Sequence, residues 1–148
     1  MAAKGVTDPA DLVKFRELQQ LAYAAAQAVG RTLEPGVTEK QAARRLREYL
    51  IERGVQDWFH TPFAWFGDRT AFRGFRTPLQ FFPTARRLVE NMPLILHSPP
   101  VRAGYMATVD YACCPAPNRI FGQPADHPDQ PQARPTTKLH QGGTRPPA

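Results

Sequence analysis

Hydrophobic residues recur every three or four positions in the first third of the chain, and this spacing predicts two helices. Asp8 is the predicted N-cap of the first helix, Pro9 is its first helical residue, and Glu34-Pro35-Gly36 breaks the pattern after Leu33. One helical face then carries the apolar positions, which are Leu12, Phe15, Leu18, Ala22, Ala25 and Val29.

A second helix is predicted to begin at a capping box, because Thr38 precedes Gln41 by three residues. Gly54 follows at the position where many helices end. The apolar stripe between these signals consists of Ala42, Leu46, Tyr49 and Leu50. We expect the two helices to form a helical hairpin or to cover a sheet.

The pattern changes at residue 57, where aromatic residues and arginines replace the helical spacing. Nine of the fifteen aromatic residues lie between Trp58 and Phe82. Aromatic residues favour strands, while the prolines and glycines among them divide the segment into short pieces. The pattern predicts a strand over 58–66, an irregular segment, one or two helical turns within 84–91, and strands near 93–101 and 105–113.

Residues 122–148 have a different composition, with six prolines and one large apolar residue, Leu139. A segment of this kind cannot bury enough apolar surface to offset its ordering entropy. We therefore expect a disordered tail at 122–148, a flexible N-terminus at 1–7 and one domain at 8–121. A chain of 148 residues can build a core of this size without disulfides or a structural metal.

Composition and charge narrow the classes of function. The net charge is +6, but the basic residues are scattered, so a nucleic-acid partner is not expected. Aromatic residues and arginines in 58–82 could stack on bases, yet no RNA-binding motif accompanies them. Cys113 and Cys114 are adjacent, which provides neither a disulfide framework nor a CxxC metal knuckle. No signal peptide pattern and no apolar run of about 18 residues occur, so we expect a soluble, cytoplasmic protein without a membrane partner.

The run LILHSPPVRAGYMATVDYA, residues 94–112, places polar residues inside an apolar hairpin. His97 ends the first predicted strand, and Thr108 and Asp110 lie on the second. Such positions often mark a site, because a buried polar group without a partner costs about 1–3 kcal/mol. Two interpretations stay open: a metal site or its remains, and an ordinary hairpin with satisfied polar side chains.

Three motifs in this order resemble the N-terminal half of the pita-bread metallopeptidases, which include methionine aminopeptidase, aminopeptidase P, prolidase and creatinase. EPGVTE (34–39) is similar to the loop between the family's first two helices, and FHTPFAWFGDRT (59–70) to its His-containing strand and Gly turn. Residues 94–112 are similar to the hairpin that delivers two metal-binding aspartates. The resemblance covers residues 8–121. It implies an α+β fold in which two N-terminal helices pack on a curved, mainly antiparallel sheet, as a partial pita-bread domain.

The resemblance also implies a chemistry, namely metal-dependent removal of an N-terminal residue or cleavage of an Xaa-Pro bond. Family members use two divalent ions of manganese, cobalt, zinc or iron. His60 falls at the family's histidine that contacts substrate or transfers a proton. The alternative for His60 is a chemically idle histidine that packs among its aromatic neighbours, Trp58, Phe59, Phe63 and Trp65.

The family's two hairpin aspartates fall at His97 and Thr108, and a threonine brings no negative charge to offset a pair of dications. His97 with Asp110 could bind one ion weakly, or both could pair with backbone and solvent. The family's remaining ligands, one His and two Glu, belong to a second half that this sequence does not match. We therefore expect no metal cofactor in this chain.

These departures predict a metallopeptidase-like protein that is inactive alone, a pseudoenzyme from a truncated or shifted reading frame. Its partner by descent is a peptide substrate. The alternative is a non-catalytic interaction module that forms a homodimer or docks on an intact paralogue.

Overall fold

Two helices and three small antiparallel sheets form the part of the chain that the structure describes. The structure, a computed structural model, describes residues 9–116 and 119–120. The helices are α1 (Pro9–Gly30) and α2 (Glu39–Ile51). The strands are β1 (Asp57–Trp58), β2 (Phe63–Phe66), β3 (Leu94–Ser98), β4 (Pro100–Arg102), β5 (Tyr105–Met106), β6 (Val109–Cys113), β7 (Pro115–Ala116) and β8 (Arg119–Ile120). Two short 3-10 turns, Gly67–Ala71 and Pro78–Phe81, lie between β2 and β3.

The start of α2 confirms the predicted capping box. Gln41 N donates to Thr38 Oγ1 at 3.2 Å, and Thr38 N donates to Gln41 Oε1 at 2.9 Å. Two N–H groups at the helix start, which have no partner within the helix, are thereby satisfied by side chains. Gly54 has a φ of +85°, the left-handed conformation expected just beyond a helix end.

The first helix is confirmed, with two corrections. It ends at Gly30 rather than near Leu33, because Thr32 and Leu33 donate to carbonyls three residues earlier and tighten the chain into a turn. Leu12 is exposed, whereas the apolar positions from Leu18 to Val29 are buried. The predicted cap Asp8 lies outside the described residues.

The helices pack on one face of the sheet that is formed by β2, β3 and β6, in the order β2-β3-β6. Alternate residues of the two longer strands point to this face and are buried, as the period of a strand requires. They are Leu94, Leu96 and Ser98 of β3 and Val109, Tyr111 and Cys113 of β6. The core therefore lies between the helices and this sheet, and the opposite face is left for other contacts.

The predicted strands are each broken in two. Residues 58–66 form β1 and β2, residues 93–101 form β3 and β4, and residues 105–113 form β5 and β6. Pro62 and Pro99 lie at two of these breaks, and a proline has no N–H for the ladder. Because the breaks coincide, β1, β4 and β5 form a second sheet in the order β1-β4-β5, and the antiparallel surface bends between the two sheets.

Residues 84–91 do not form the helical turn that the sequence predicted. Their backbone pairs with the loop after α1: Leu88 N donates to Val37 O, and Gly36 N donates to Leu88 O, both at 2.8 Å. Arg87 also forms an isolated antiparallel bridge with Thr38. Long-range backbone bonds thus replace the local bonds that a helix would need.

Glu39, the first residue of α2, is fully buried and joins three distant segments. Its Oε1 accepts hydrogen bonds from Phe66 N and Arg69 Nε, both at 2.9 Å. Its Oε2 accepts from Thr84 N at 2.8 Å and from Thr84 Oγ1 at 2.6 Å. A buried carboxylate needs such a set of donors. This one ties the start of α2 to the end of β2 and to Arg69 and Thr84.

The fold class agrees with the prediction of an α+β domain, two helices on antiparallel sheets. Among the described residues, no helix is both long and apolar enough to cross a bilayer. The predicted flexible N-terminus at 1–7 and the predicted tail at 122–148 lie outside the described residues.

Candidate functional site

The face of the β2-β3-β6 sheet that points away from the helices carries the candidate site. Phe63 pairs with His97, and His97 pairs with Asp110, so these three residues form one row across the sheet. Trp65, Ile95 and Ala112 form the next row. His97 and Asp110 are cross-strand neighbours because the register of β3 and β6 places them opposite one another.

His60 reaches this row from the loop between β1 and β2. Its ring stacks on Phe63 at a centroid distance of 4.7 Å and on His97 at 4.9 Å. Thr61, the next residue, precedes Pro62, which restricts its backbone to extended conformations. Its carbonyl oxygen lies 2.8 Å from His60 Nδ1. The structure thus brings together all three residues that the sequence put forward: His60, His97 and Asp110.

The hydrogen-bond partners define which ring nitrogens are donors. A carbonyl oxygen can only accept, so His60 Nδ1 donates to Thr61 O. An ionised carboxylate also only accepts, so His97 Nδ1 donates to Asp110 Oδ1 at 2.6 Å. In neutral rings, both Nε2 atoms then carry lone pairs, and these two atoms lie 3.2 Å apart. Their contact is favourable only with a cation between them, a proton or a metal ion.

The arrangement does not match a carboxylate-bridged pair of metal ions. Asp110 bonds the Nδ1 side of His97, away from the Nε2 atom that faces His60. Thr108 is exposed, and its carbonyl oxygen accepts a hydrogen bond from Gln19 at 3.3 Å. In the described ranges, no three His, Cys, Asp or Glu side chains are grouped so that they could hold an ion. The predicted pair of His97 and Asp110 is therefore a hydrogen-bonded pair in this structure.

Aromatic side chains surround the site and continue beyond it. We call this set the aromatic surface; it consists of Phe59, His60, Phe63, Trp65, Phe72, Phe75, Phe81 and Phe82, joined by ring contacts of 4.7–6.1 Å. Trp65 Nε1 donates to Phe81 O at 2.7 Å, which fixes the second 3-10 turn against β2. Composition alone shows that these residues are frequent in 58–82, and the structure shows that their rings form one connected cluster.

A groove of about 750 Å³ adjoins the aromatic surface at Phe82. Helix α2 lines it with Lys40, Arg44 and Arg47, and Thr61 and Pro62 lie on its other side. These basic residues are scattered along the sequence, and their clustering was not predicted. The spacing of four and three residues along α2, which places side chains on one helical face, was the signal available.

Known proteins share a family sequence pattern and a fold with this chain. Residues 13–116 match metallopeptidase family M24. The fold is similar to that of an X-Pro aminopeptidase from Thermotoga maritima MSB8, with a TM-score of 0.64 and 15% identity over 74% of this chain and 29% of that one. It is also similar to a Xaa-Pro dipeptidase from Bacillus anthracis, with a TM-score of 0.65 and 15% identity over 75% of this chain and 30% of that one. The chain thus spans less than a third of either structure. A search of curated proteins gave no match.

Proposed function

Since this chain belongs to metallopeptidase family M24, we propose that it is a metallopeptidase-like protein that does not hydrolyse peptides by itself. The family chemistry uses two divalent ions to polarise the scissile carbonyl and to generate the attacking hydroxide. It requires carboxylates that chelate and bridge the ions. By resemblance, the two hairpin carboxylates of the family fall at His97 and Thr108 of this chain.

The observation that carries this proposal is the hydrogen bond of Asp110, the carboxylate that lies opposite His97 in the sheet. Asp110 Oδ1 accepts from His97 Nδ1 at 2.6 Å, and this bond occupies one of the two carboxylate oxygens. An imidazole binds one ion at each nitrogen and cannot bridge two ions as a carboxylate does. The hydroxyl of Thr108 adds no charge. The residues of the described site therefore do not fit the family's pair of ions.

The test is a peptidase assay on the purified 148-residue chain with manganese, cobalt or zinc. The substrates are peptides with an N-terminal Met and peptides with an Xaa-Pro bond, and an intact family enzyme serves as the positive control. We expect no turnover above the buffer rate. Chelator-sensitive turnover by the unmodified chain, abolished by His60→Ala, would contradict the proposal.

A gain-of-ligand variant sharpens this test. His97→Asp with Thr108→Asp restores both hairpin carboxylates and should strengthen manganese binding, because hard cations prefer carboxylate oxygens. We expect no peptide hydrolysis even so, since two carboxylates do not complete the family's set of five protein ligands. Turnover by this variant would show that the chain holds the remaining machinery.

A second candidate function is an interaction module, and the exposure of the aromatic surface favours it. Phe59, Phe72 and Phe82 are 67%, 42% and 47% exposed, and Leu79 beside them is 76% exposed. Contiguous apolar surface of this kind often marks a protein-protein contact. The partner would be a second copy of the chain or an intact paralogue. This candidate requires association in solution, whereas loss of hydrolysis does not.

A further inference from the structure

We propose that His60 and His97 together bind one transition-metal ion, for which Zn²⁺ is the probe, through their Nε2 atoms. This site differs from the pair of His97 and Asp110 that the sequence suggested. In this site His60 is a ligand, and Asp110 orients His97 through a hydrogen bond and does not bind the ion. It does not depend on peptide hydrolysis.

The distance between the two Nε2 atoms suits a shared ion. A tetrahedral zinc ion with Zn–N bonds of about 2.0–2.1 Å places two nitrogen ligands about 3.3–3.4 Å apart. His60 Nε2 and His97 Nε2 lie 3.2 Å apart, and their ring planes differ by only 8°. The contact has hydrogen-bond geometry, so the two Nε2 atoms face one another. Because a bound ion lies in the plane of each imidazole, the two nearly parallel rings must turn relative to one another to share it.

In each ring the other nitrogen, Nδ1, already forms a hydrogen bond. Histidine ligands in metal sites almost always donate their remaining N–H to a carboxylate or a backbone carbonyl, which fixes the tautomer and the ring orientation. His97 Nδ1 bonds Asp110 Oδ1, and His60 Nδ1 bonds the carbonyl oxygen of Thr61. Both Nε2 atoms are thereby left as the metal-binding atoms.

The two imidazoles also determine which metal the site prefers, and their exposure gives the metal access. Imidazole ligands suit zinc, copper and nickel, whereas manganese and magnesium prefer carboxylates and water. Two imidazoles leave two positions of a tetrahedron for water or for an added ligand. His60 and His97 are both partly exposed, so an ion can reach the gap from solvent. The loss of hairpin carboxylates thus changes the metal preference of this face rather than removing it.

The cysteines and the other histidines of the chain could also bind Zn²⁺, so the measurements need control variants. Cys113 is buried in the core, and burial, followed by the neighbouring Cys114, raises its pKa to about 12. Cys114 is partly exposed, and Cys114→Ala therefore serves as the background for every measurement. His127 and His140, the other two histidines of the chain, provide the matched control.

The experiment is calorimetric titration of the full chain with Zn²⁺ and with Mn²⁺ after removal of metal by a chelator. We expect one Zn²⁺ per chain and no measurable Mn²⁺ binding. His60→Gln and His97→Gln should each weaken Zn²⁺ binding at least tenfold. Asp110→Asn should weaken it about 10–100-fold, the range typical of groups that support a ligand. His127→Gln with His140→Gln should leave the affinity unchanged.

A second readout keeps the proposal testable if a histidine variant does not fold. In the unmodified chain, nitrogen NMR of the imidazoles should show both Nε2 signals of His60 and His97 shifting on Zn²⁺ addition, while both Nδ1 atoms stay protonated. Three results would overturn the proposal: no Zn²⁺ binding, binding that survives His60→Gln, or binding that is lost in the control pair. Because no peptide is present, none of these results bears on the hydrolysis test.

Discussion

His97, Ser98 and Thr108 show how the faces of a hairpin decide what a polar residue can do. His97 points away from the helices and contacts Asp110 and His60. Ser98, the next residue, points toward the helices and is fully buried. Thr108 lies between β5 and β6 and is exposed. Residues of one motif can therefore contribute to the site, pack against the helices or face solvent, depending on the side of the sheet to which they point.

Ser98 provides a prediction about stability. Among the described residues, no partner is found for its buried Oγ, and such a group costs about 1–3 kcal/mol. Ser98→Ala should therefore raise the free energy of unfolding by about 1 kcal/mol in a urea titration. Thr32→Val is the control, because Thr32 Oγ1 donates to Val29 O at 2.8 Å and its loss should destabilise. A clear destabilisation by Ser98→Ala would show that the hydroxyl is bonded.

The two cysteines provide a prediction about pH. The pKa of Cys113 is raised from 9.0 to about 12 by burial and by Cys114. In the unfolded chain this thiol ionises near pH 9, so the folded state retains a proton that the unfolded state loses. Stability should be complete below pH 9 and should fall as the pH rises from about 9 to about 12. Burial also raises the pKa of Tyr111 above 10.0, which adds to the loss.

Thiol labelling checks the same difference between the two cysteines. At pH 8 iodoacetamide should modify Cys114 in the folded chain, while Cys113 reacts only after denaturant is added. Mass spectrometry of peptic fragments distinguishes the two positions. Equal labelling rates in the folded chain would contradict the burial of Cys113.

At the scale of elements, Glu39 connects α2, β2 and the segment before β3. Glu39→Ala would leave Arg69 Nε without its buried partner, and removing one member of such a pair costs about 3–5 kcal/mol. Glu39→Gln keeps an acceptor and should cost less. Glu34→Ala, at an exposed glutamate, is the control with little expected effect. Denaturant titrations at low temperature measure all three, and equal stability of Glu39→Ala and Glu34→Ala would contradict the bonding described.

The hairpin shows why element boundaries were harder to predict than the elements themselves. Strand propensity correctly located the segments of β3 and β6. It could not show that the chain leaves the strand ladder at Pro99 and again at Ala107-Thr108, which produces four short strands. The breaks move β4 and β5 into another sheet. That change depends on β1, a partner more than 40 residues earlier in the chain.

At the scale of the whole molecule, the aromatic surface predicts association. The chain should show a mass that rises with concentration in light scattering after size-exclusion chromatography. Leu79→Ser with Phe82→Ser should shift it toward the monomer. Leu12→Ser with Val13→Ser is the matched control, because these residues of α1 are each 53% exposed and lie outside the aromatic surface. A monomer at every concentration, or an equal effect of the control pair, would rule out this surface as the contact.

The sequence alone determined the parts of this protein that depend on neighbours along the chain. The helices follow from apolar residues three and four positions apart, and α2 starts where Thr38 and Gln41 bond each other. The order of three motifs was enough to place the chain in its family. His97 and Asp110 were candidate site residues from the sequence, because polar residues at fixed positions of a predicted hairpin stand out against its apolar pattern.

Tertiary structure decided the contacts between segments that are far apart in sequence. His60 meets His97 across 37 residues, and Glu39 meets Thr84 across 45. No local rule fixes such pairs, because the chain between them can take many paths and only the packed core selects one. The same packing overruled the helical turn at 84–91, where Leu88 bonds the loop after α1 instead. The residues of the site were therefore visible in the sequence, whereas the gap between two imidazoles that could hold an ion exists only in the fold.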